Sequence, residues 1–103
     1  MSRIDNLIEM MKEDNDPFLP YALALEYKTA NEPAQAIHWL EKLLDAHPDY
    51  LPSYYQLAKI QEELGNEDAA LKIYRTGASL AKEQNNMKIL GELNEAIWFL
   101  EDD

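Results

Sequence analysis

Few side chains in this sequence stand at spacings that could support metal chemistry. His38 and Glu41 are three residues apart, so on a helix they would face the same side and could share a metal ion. His47 follows His38 about half a helical turn out of phase and is not expected to join them. Residues 14–16, an Asp-Asn-Asp run, are similar to the start of a calcium loop, but Phe18 and the lack of a glycine break that pattern. We therefore expect no metal site.

The groups from which most active sites are built are also missing. The chain contains no cysteine, which excludes a thiol nucleophile, disulfides and thiolate zinc sites. It has no serine–histidine pairing at a recognisable turn and no glycine-rich phosphate loop. Its carboxylates are numerous, but on helices they are typical of solvated faces. We therefore expect a protein that is not an enzyme and that uses no cofactor.

The length and net charge of the chain limit the kinds of partner that it is expected to bind. A chain of 103 residues suits one domain with one modest core, and 20 acidic against 9 basic residues give a net charge of −11. Nucleic acids and anionic membranes attract cationic proteins, so we expect neither as a partner. A basic or apolar partner is easier to accommodate, although the acidity is equally consistent with a role in solubility alone. The lack of cysteine, of a signal peptide and of a long apolar run predicts a cytoplasmic protein.

These side chains must be positioned by helices. Apolar residues recur at helical spacing along most of the chain, and no stretch alternates for long enough to form a strand, so the fold class is all-α. Asn31 suits the left-handed residue that ends a helix, and Gly65-Asn66 is expected to break the helical pattern of repeat 2. The residue before Pro48 is pushed out of helical geometry. Pro17 and Pro33 suit first helical turns. The predicted helices cover residues 3–13, 17–30, 33–46, 51–64, 67–83 and 85–101.

The sequence also repeats itself. PYALALEYKTANEPAQAIHWL, residues 20–40, matches YYQLAKIQEELGNEDAALKIY, residues 54–74, after a shift of 34 positions. The matched pairs are Leu23 with Leu57, Ala24 with Ala58, Asn31 with Gly65, Ala36 with Ala70, and Leu40 with Tyr74. A 34-residue period of two antiparallel helices closely resembles the tetratricopeptide repeat, and specifically the small two-repeat proteins of bacterial type. In that family small residues let the paired helices approach closely, and the four alanines named above fill those positions.

The resemblance implies a single domain of two tetratricopeptide hairpins stacked as a right-handed α-solenoid. Its expected parts are an amphipathic N-terminal helix over 3–13, repeat 1 over 17–50, repeat 2 over 51–84 and a capping helix over 85–101. The chain departs from the family pattern at Pro20 and Gln61, which replace large aromatics, and at Lys82, which replaces a closing proline. Without that proline the last repeat helix can run on toward residue 84, so the register of the capping helix stays open.

Most members of the family bind protein segments on a concave face lined by the first helix of each repeat. The positions expected on that face are Phe18, Tyr21, Ala22, Leu25 and Lys28 from repeat 1, and Tyr55, Gln56, Lys59 and Glu62 from repeat 2. Tyr21 and Tyr55 are equivalent under the shift, and their rings with polar tips suit a peptide. The lysine and asparagine with which a subset of the family grips C-terminal carboxylates are absent, because Tyr21, Leu25 and Gln56 stand there. The expected partner is therefore a protein or peptide that is not recognised by its C-terminal carboxylate.

Other interpretations stay open. Tyr21 and Tyr55 could instead pack under neighbouring helices. The helix over 3–13 could lie in the groove or pair with a second chain, but covering the apolar flank of repeat 1 is favoured. Trp98 and Phe99 cannot both lie on the apolar stripe of the last helix, so at least one could anchor a partner or a homodimer. The alternative function is therefore a structural homo-oligomer assembled through its N-terminal or capping helix.

Overall fold

The computed structural model describes residues 2–101, and these residues form six α-helices and no β-strand. The helices are α1 (Arg3–Met11), α2 (Phe18–Thr29), α3 (Pro33–Ala46), α4 (Pro52–Glu63), α5 (Glu67–Glu83) and α6 (Met87–Glu101). The all-α fold class predicted from the sequence is confirmed. Contacts divide the chain after Tyr50 into two compact units, unit 1 with α1–α3 and unit 2 with α4–α6.

Unit 1 is a helical hairpin of α2 and α3 with α1 packed against α2. Ser2 begins α1 by accepting a hydrogen bond from the backbone N–H of Asp5, 3.1 Å away, which satisfies one of the amides that a helix start leaves unpaired. The amphipathic stripe of α1 then meets α2 in a core around buried Leu7, Leu19, Ala22 and Leu23. The N-terminal helix therefore covers an apolar side of the first helix of repeat 1.

Unit 2 contains α4, α5 and α6, with α5 packed against both of the others. Its core consists of buried residues from all three helices and the residue before α4: Leu51, Ala58, Ala70, Tyr74, Ala81 and Leu93. At the far end of α6, the carboxylate of Glu101 pairs with the guanidinium of Arg75 on α5. The last helix is thus attached to repeat 2 by apolar burial along its length and by one ion pair near its C-terminus.

Three turns within the two units share one hydrogen-bond pattern. Asn31, Gly65 and Asn85 adopt positive φ angles of 60°, 87° and 61°, the left-handed conformation that ends many helices. In each turn the next residue donates its backbone N–H to the carbonyl five positions earlier. These pairs are Glu32 to Tyr27 at 2.9 Å, Asn66 to Gln61 at 2.8 Å, and Asn86 to Ala81 at 2.9 Å. The α5–α6 connection therefore copies the turn inside each repeat, and α6 folds back on α5 as the second arm of a third hairpin.

The small residues predicted at the helix crossings are buried in both repeats. Ala24 and Ala36 in unit 1, and Ala58 and Ala70 in unit 2, expose none of their surface to solvent. A methyl group at these positions lets the two helices of a hairpin approach closely, while larger side chains fill the space beside them. The same shift of 34 positions therefore relates both the turns and the closest packing of the two repeat hairpins.

Candidate functional site

Unit 1 carries three neighbouring aromatic rings, two on α2 and one in the segment that follows α3. The ring of Tyr21 lies 6.4 Å from that of Phe18 and 5.5 Å from that of Tyr50, measured between centroids. Phe18 is 51% exposed, and both tyrosines are partly exposed. Burial raises the pKa of Tyr50, and the nearby Tyr21 and Asp16 raise it further. We call Phe18, Tyr21 and Tyr50 the unit 1 aromatic row.

The other repeat 1 positions expected on the concave face differ in exposure. Leu25 and Lys28 are partly exposed, as a surface role requires. Ala22 is only 5% exposed and lies in the core with Leu7 of α1, so its expected place on the binding face is wrong. The reason is tertiary, because the helix that covers Ala22 lies outside the repeat and its position cannot be read from the 34-residue period.

Unit 2 contains an open groove between its first helix and its last. Tyr55, Lys59 and Glu62 project from one face of α4, one helical turn apart, and a matching set projects from α6. The α6 residues that line it are Glu92, Glu95, Ala96 and Phe99. The groove has a volume of about 580 Å³, and we call it the α4–α6 groove. Of the repeat 2 positions expected on the binding face, it brings together Tyr55, Lys59 and Glu62, while partly buried Gln56 does not line it.

A buried tyrosine, Tyr74, contacts two of the residues that line this groove. The hydroxyl of Tyr74 donates to Oε1 of Glu62 at 2.9 Å, and its ring lies edge-on to that of Tyr55 with centroids 5.9 Å apart. Tyr74 is fully buried, and this burial raises its pKa well above the usual range, with a further contribution from the hydrogen bond to Glu62. Tyr74 therefore orients one acidic and one aromatic side chain of the groove.

Replacing Tyr74 with phenylalanine is expected to lower the free energy of unfolding by about 1 kcal/mol at neutral pH, because Glu62 loses its donor. The variant should also be less sensitive to alkali. The folded-state pKa of Tyr74 lies above its unfolded value of 10.0, so its contribution to stability is full below that pH and is lost as the pH rises further. Urea denaturation at about pH 8 and about pH 11 measures both effects. Equal losses in wild type and variant between these two pH values would contradict this role for Tyr74.

Sequence reasoning missed five residues of these two surfaces. Four are the α6 residues of the groove, Glu92, Glu95, Ala96 and Phe99, and the fifth is Tyr50 of the aromatic row. The alignment of α6 with the repeat was the missing information for the first four. Tyr50 is the last residue of repeat 1, and its packing against Tyr21 depends on the fold, so no local sequence signal indicates it.

Trp98 lies on α6 and is 58% exposed, next to Phe99, which is 64% exposed. Their rings meet edge to face with centroids 5.2 Å apart. Both side chains therefore lie off the buried stripe of α6. Phe99 belongs to the α4–α6 groove, whereas Trp98 does not line it.

His38 and Glu41, the candidate metal pair, belong to neither of these two surfaces. His38 is exposed, and its ring lies edge-on to Trp39 with centroids 5.4 Å apart. Within residues 2–101, no three histidine, aspartate or glutamate side chains converge where they could hold a metal ion. Over the same residues, no helix is both long enough and apolar enough to cross a membrane.

Paired helices with identical turns at a 34-residue interval, closed by buried alanines, define a helical-repeat protein. The chain belongs to the tetratricopeptide repeat family, whose model matches residues 29–93. Proteins of this fold generally mediate protein–protein interactions and are typically not enzymes. The resemblance to the tetratricopeptide repeat family is therefore confirmed, and the protein is a small member of that family.

Solved structures agree with this assignment. A crystal structure of a tetratricopeptide repeat domain protein from Salinibacter ruber is 37% identical, with a TM-score of 0.80, and the match covers 84% of this chain and 97% of that one. A solution structure of such a protein from the same organism is also 37% identical, with a TM-score of 0.83 and coverage of 87% and 92%. A Bordetella parapertussis protein shares the fold at 20% identity, with a TM-score of 0.87 and coverage of 99% and 90%. No curated protein matches the chain.

Proposed function

We propose that this protein is a non-catalytic interaction module that binds a peptide or protein segment through the first helices of its repeats, the helices that line the concave face in the family. One observation carries the proposal. The equivalent tyrosines Tyr21 and Tyr55 are both partly exposed, and each contacts another aromatic ring that limits its motion. Aromatic rings already held in place lose little conformational entropy when a partner covers them, and they are common at the centres of interfaces.

The remaining predicted residues divide between the two units. Phe18 and Leu25 accompany Tyr21 on α2, and Gln56 and Lys59 accompany Tyr55 on α4. The acidic balance of the chain supports a protein partner over a nucleic acid. The lack of cysteine, which is typical of reducing compartments, supports a cytoplasmic setting for the interaction.

Affinity capture from the native cell, followed by titration of the captured partner, tests the proposal. Replacing both Tyr21 and Tyr55 with alanine is expected to weaken the affinity about tenfold or more, because each truncation removes an interface aromatic. Replacing Met10 and Leu64 with alanine serves as the control, because it removes two exposed apolar side chains that belong neither to the aromatic row nor to the α4–α6 groove. An unchanged affinity in the double tyrosine variant would rule out the first helices as the binding surface.

A second function of a different class is favoured by the exposure of Trp98 and Phe99 on α6. Two adjacent exposed aromatics are a common feature of interfaces, and a symmetric contact through α6 would make the protein a homo-oligomer. Sedimentation over a range of protein concentrations distinguishes the two functions. A monomer at every concentration eliminates the oligomer, whereas a dimer that Trp98→Ala dissociates supports it.

A further inference from the structure

The α4–α6 groove carries a charge that its own residues do not balance. Three carboxylates, those of Glu62, Glu92 and Glu95, line it together with a single ammonium group, that of Lys59. Among the described residues, Glu92 and Glu95 form no ion pair or hydrogen bond with another side chain. The chain as a whole is strongly acidic, so the field of the remaining molecule adds to this negative potential.

The apolar part of the groove consists mainly of aromatic rings. Tyr55 lies on the α4 side, and Ala96 and Phe99 lie on the α6 side. A guanidinium group is planar and weakly hydrated, so it can stack on an aromatic ring while it donates hydrogen bonds to a carboxylate. A volume of about 580 Å³ can accept such a side chain and an apolar neighbour.

We propose that the α4–α6 groove binds a segment of a partner protein in which arginine stands beside an apolar residue. The arginine pairs with Glu92 and Glu95 and stacks on Phe99, while the apolar neighbour contacts Tyr55 and Ala96. This inference rests on the proposed function, because it names the chemistry of the partner for the first helix of repeat 2. The net charge of this groove is negative, opposite to the positive charge of the clamp with which a subset of the family grips carboxylates.

One carboxylate of this set is held in place before any partner arrives. Oε1 of Glu62 accepts a hydrogen bond from the hydroxyl of Tyr74, which leaves Oε2 of the same carboxylate to accept a hydrogen bond from a partner. Because Tyr74 is fully buried, it fixes Glu62 near Tyr55 at the α4 side of the groove. A cationic partner therefore meets one oriented acid on α4 and two on α6, a preorganised arrangement that reduces the entropy lost on binding.

The test uses fluorescence anisotropy of three labelled peptide amides of equal length, which alternate leucine with arginine, lysine or glutamate. We expect the arginine peptide to bind most tightly and the glutamate peptide not to bind. Replacing Glu92 and Glu95 with glutamine should weaken arginine-peptide binding about tenfold, and added salt should weaken wild-type binding. The control variant replaces Glu67 and Glu83 with glutamine, which removes the same charge from α5 outside the groove and should change the affinity about twofold or less.

Several results would overturn the inference. Equal losses of arginine-peptide affinity in the groove and control variants would show only a general charge effect. Tighter binding of the glutamate peptide would show that the groove does not select a cationic partner. A concentration-dependent dimer that Phe99→Ala dissociates would show that a second copy fills the groove. These failures remain distinct from failure of the proposed function. In each of them, Tyr21→Ala with Tyr55→Ala could still abolish capture of the native partner.

Discussion

Replacing Leu93 with alanine is expected to lower the free energy of unfolding by about 2–5 kcal/mol. Leu93 is fully buried, and of the described residues in α6 it alone is buried. Its side chain belongs to the core of unit 2 with Tyr74 and Ala81 of α5. Truncation removes apolar contact and leaves a cavity between α5 and α6, because the helices can relax only partly. Urea denaturation followed by circular dichroism measures the loss.

Met87 offers a control on the same helix. Its side chain is 58% exposed in the first turn of α6, so Met87→Ala should change the free energy of unfolding by no more than about 0.5 kcal/mol. A small domain has a total stability of only about 5–15 kcal/mol, so the loss at Leu93 is a large fraction of it. A Leu93 variant as stable as the Met87 variant would mean that α6 does not pack on α5 as described. The α4–α6 groove would then lose one of its walls.

The helix ends could be predicted from the sequence because they depend on local backbone chemistry. Proline at residue 33 and a left-handed Asn31 place the turn between α2 and α3, and the structure has both where they were expected. Gly65 plays the same role between α4 and α5. Each of these signals acts within a few residues, so no tertiary information is needed to read it.

The α4 half of the groove could be predicted, but the α6 half could not. Tyr55 and Lys59 follow from the 34-residue period, which places them on the exposed face of a first helix. The period ends with α5, which has 17 residues where its counterpart α3 has 14, and Lys82 replaces the proline that would have stopped it. This extension changes the position at which α6 begins. The sequence therefore does not determine which α6 residues face Tyr55.

The burial of Ala22 could not be predicted from the repeat pattern, for a different reason. Its equivalent in repeat 2 is Gln56, a polar residue that stays partly exposed, so the repeat alone predicts a surface position. Only unit 1 has a helix before its repeat, and Leu7 of that helix is buried in the same core cluster as Ala22. A residue's place in a repeat thus predicts its packing against the repeat's own helices, but not against an additional helix.

Gly77 and Gly91 are expected to respond in opposite ways to alanine. Both lie inside helices, α5 and α6, where alanine is favoured over glycine by about 1 kcal/mol. A Cβ at Gly91 would meet nothing within 4 Å, so Gly91→Ala should gain the full propensity difference. A Cβ at Gly77 would lie 2.8 Å from the Cβ of Tyr54 and 3.3 Å from Cδ1 of Leu93. Because the Cβ of Tyr54 moves only with the α4 backbone, Gly77→Ala must push α4 away.

The helix-propensity gain is common to both variants, so the difference between their free energies of unfolding isolates the cost of the close contact. We expect Gly77→Ala to be less stable than Gly91→Ala by about 1–3 kcal/mol, the usual cost of overpacking a core. Chemical denaturation of both variants in one buffer measures this difference directly. Equal stability would contradict the close approach of α4, α5 and α6 at Gly77. That approach holds α4 and α6 against the same side of α5, and the α4–α6 groove lies between those two helices.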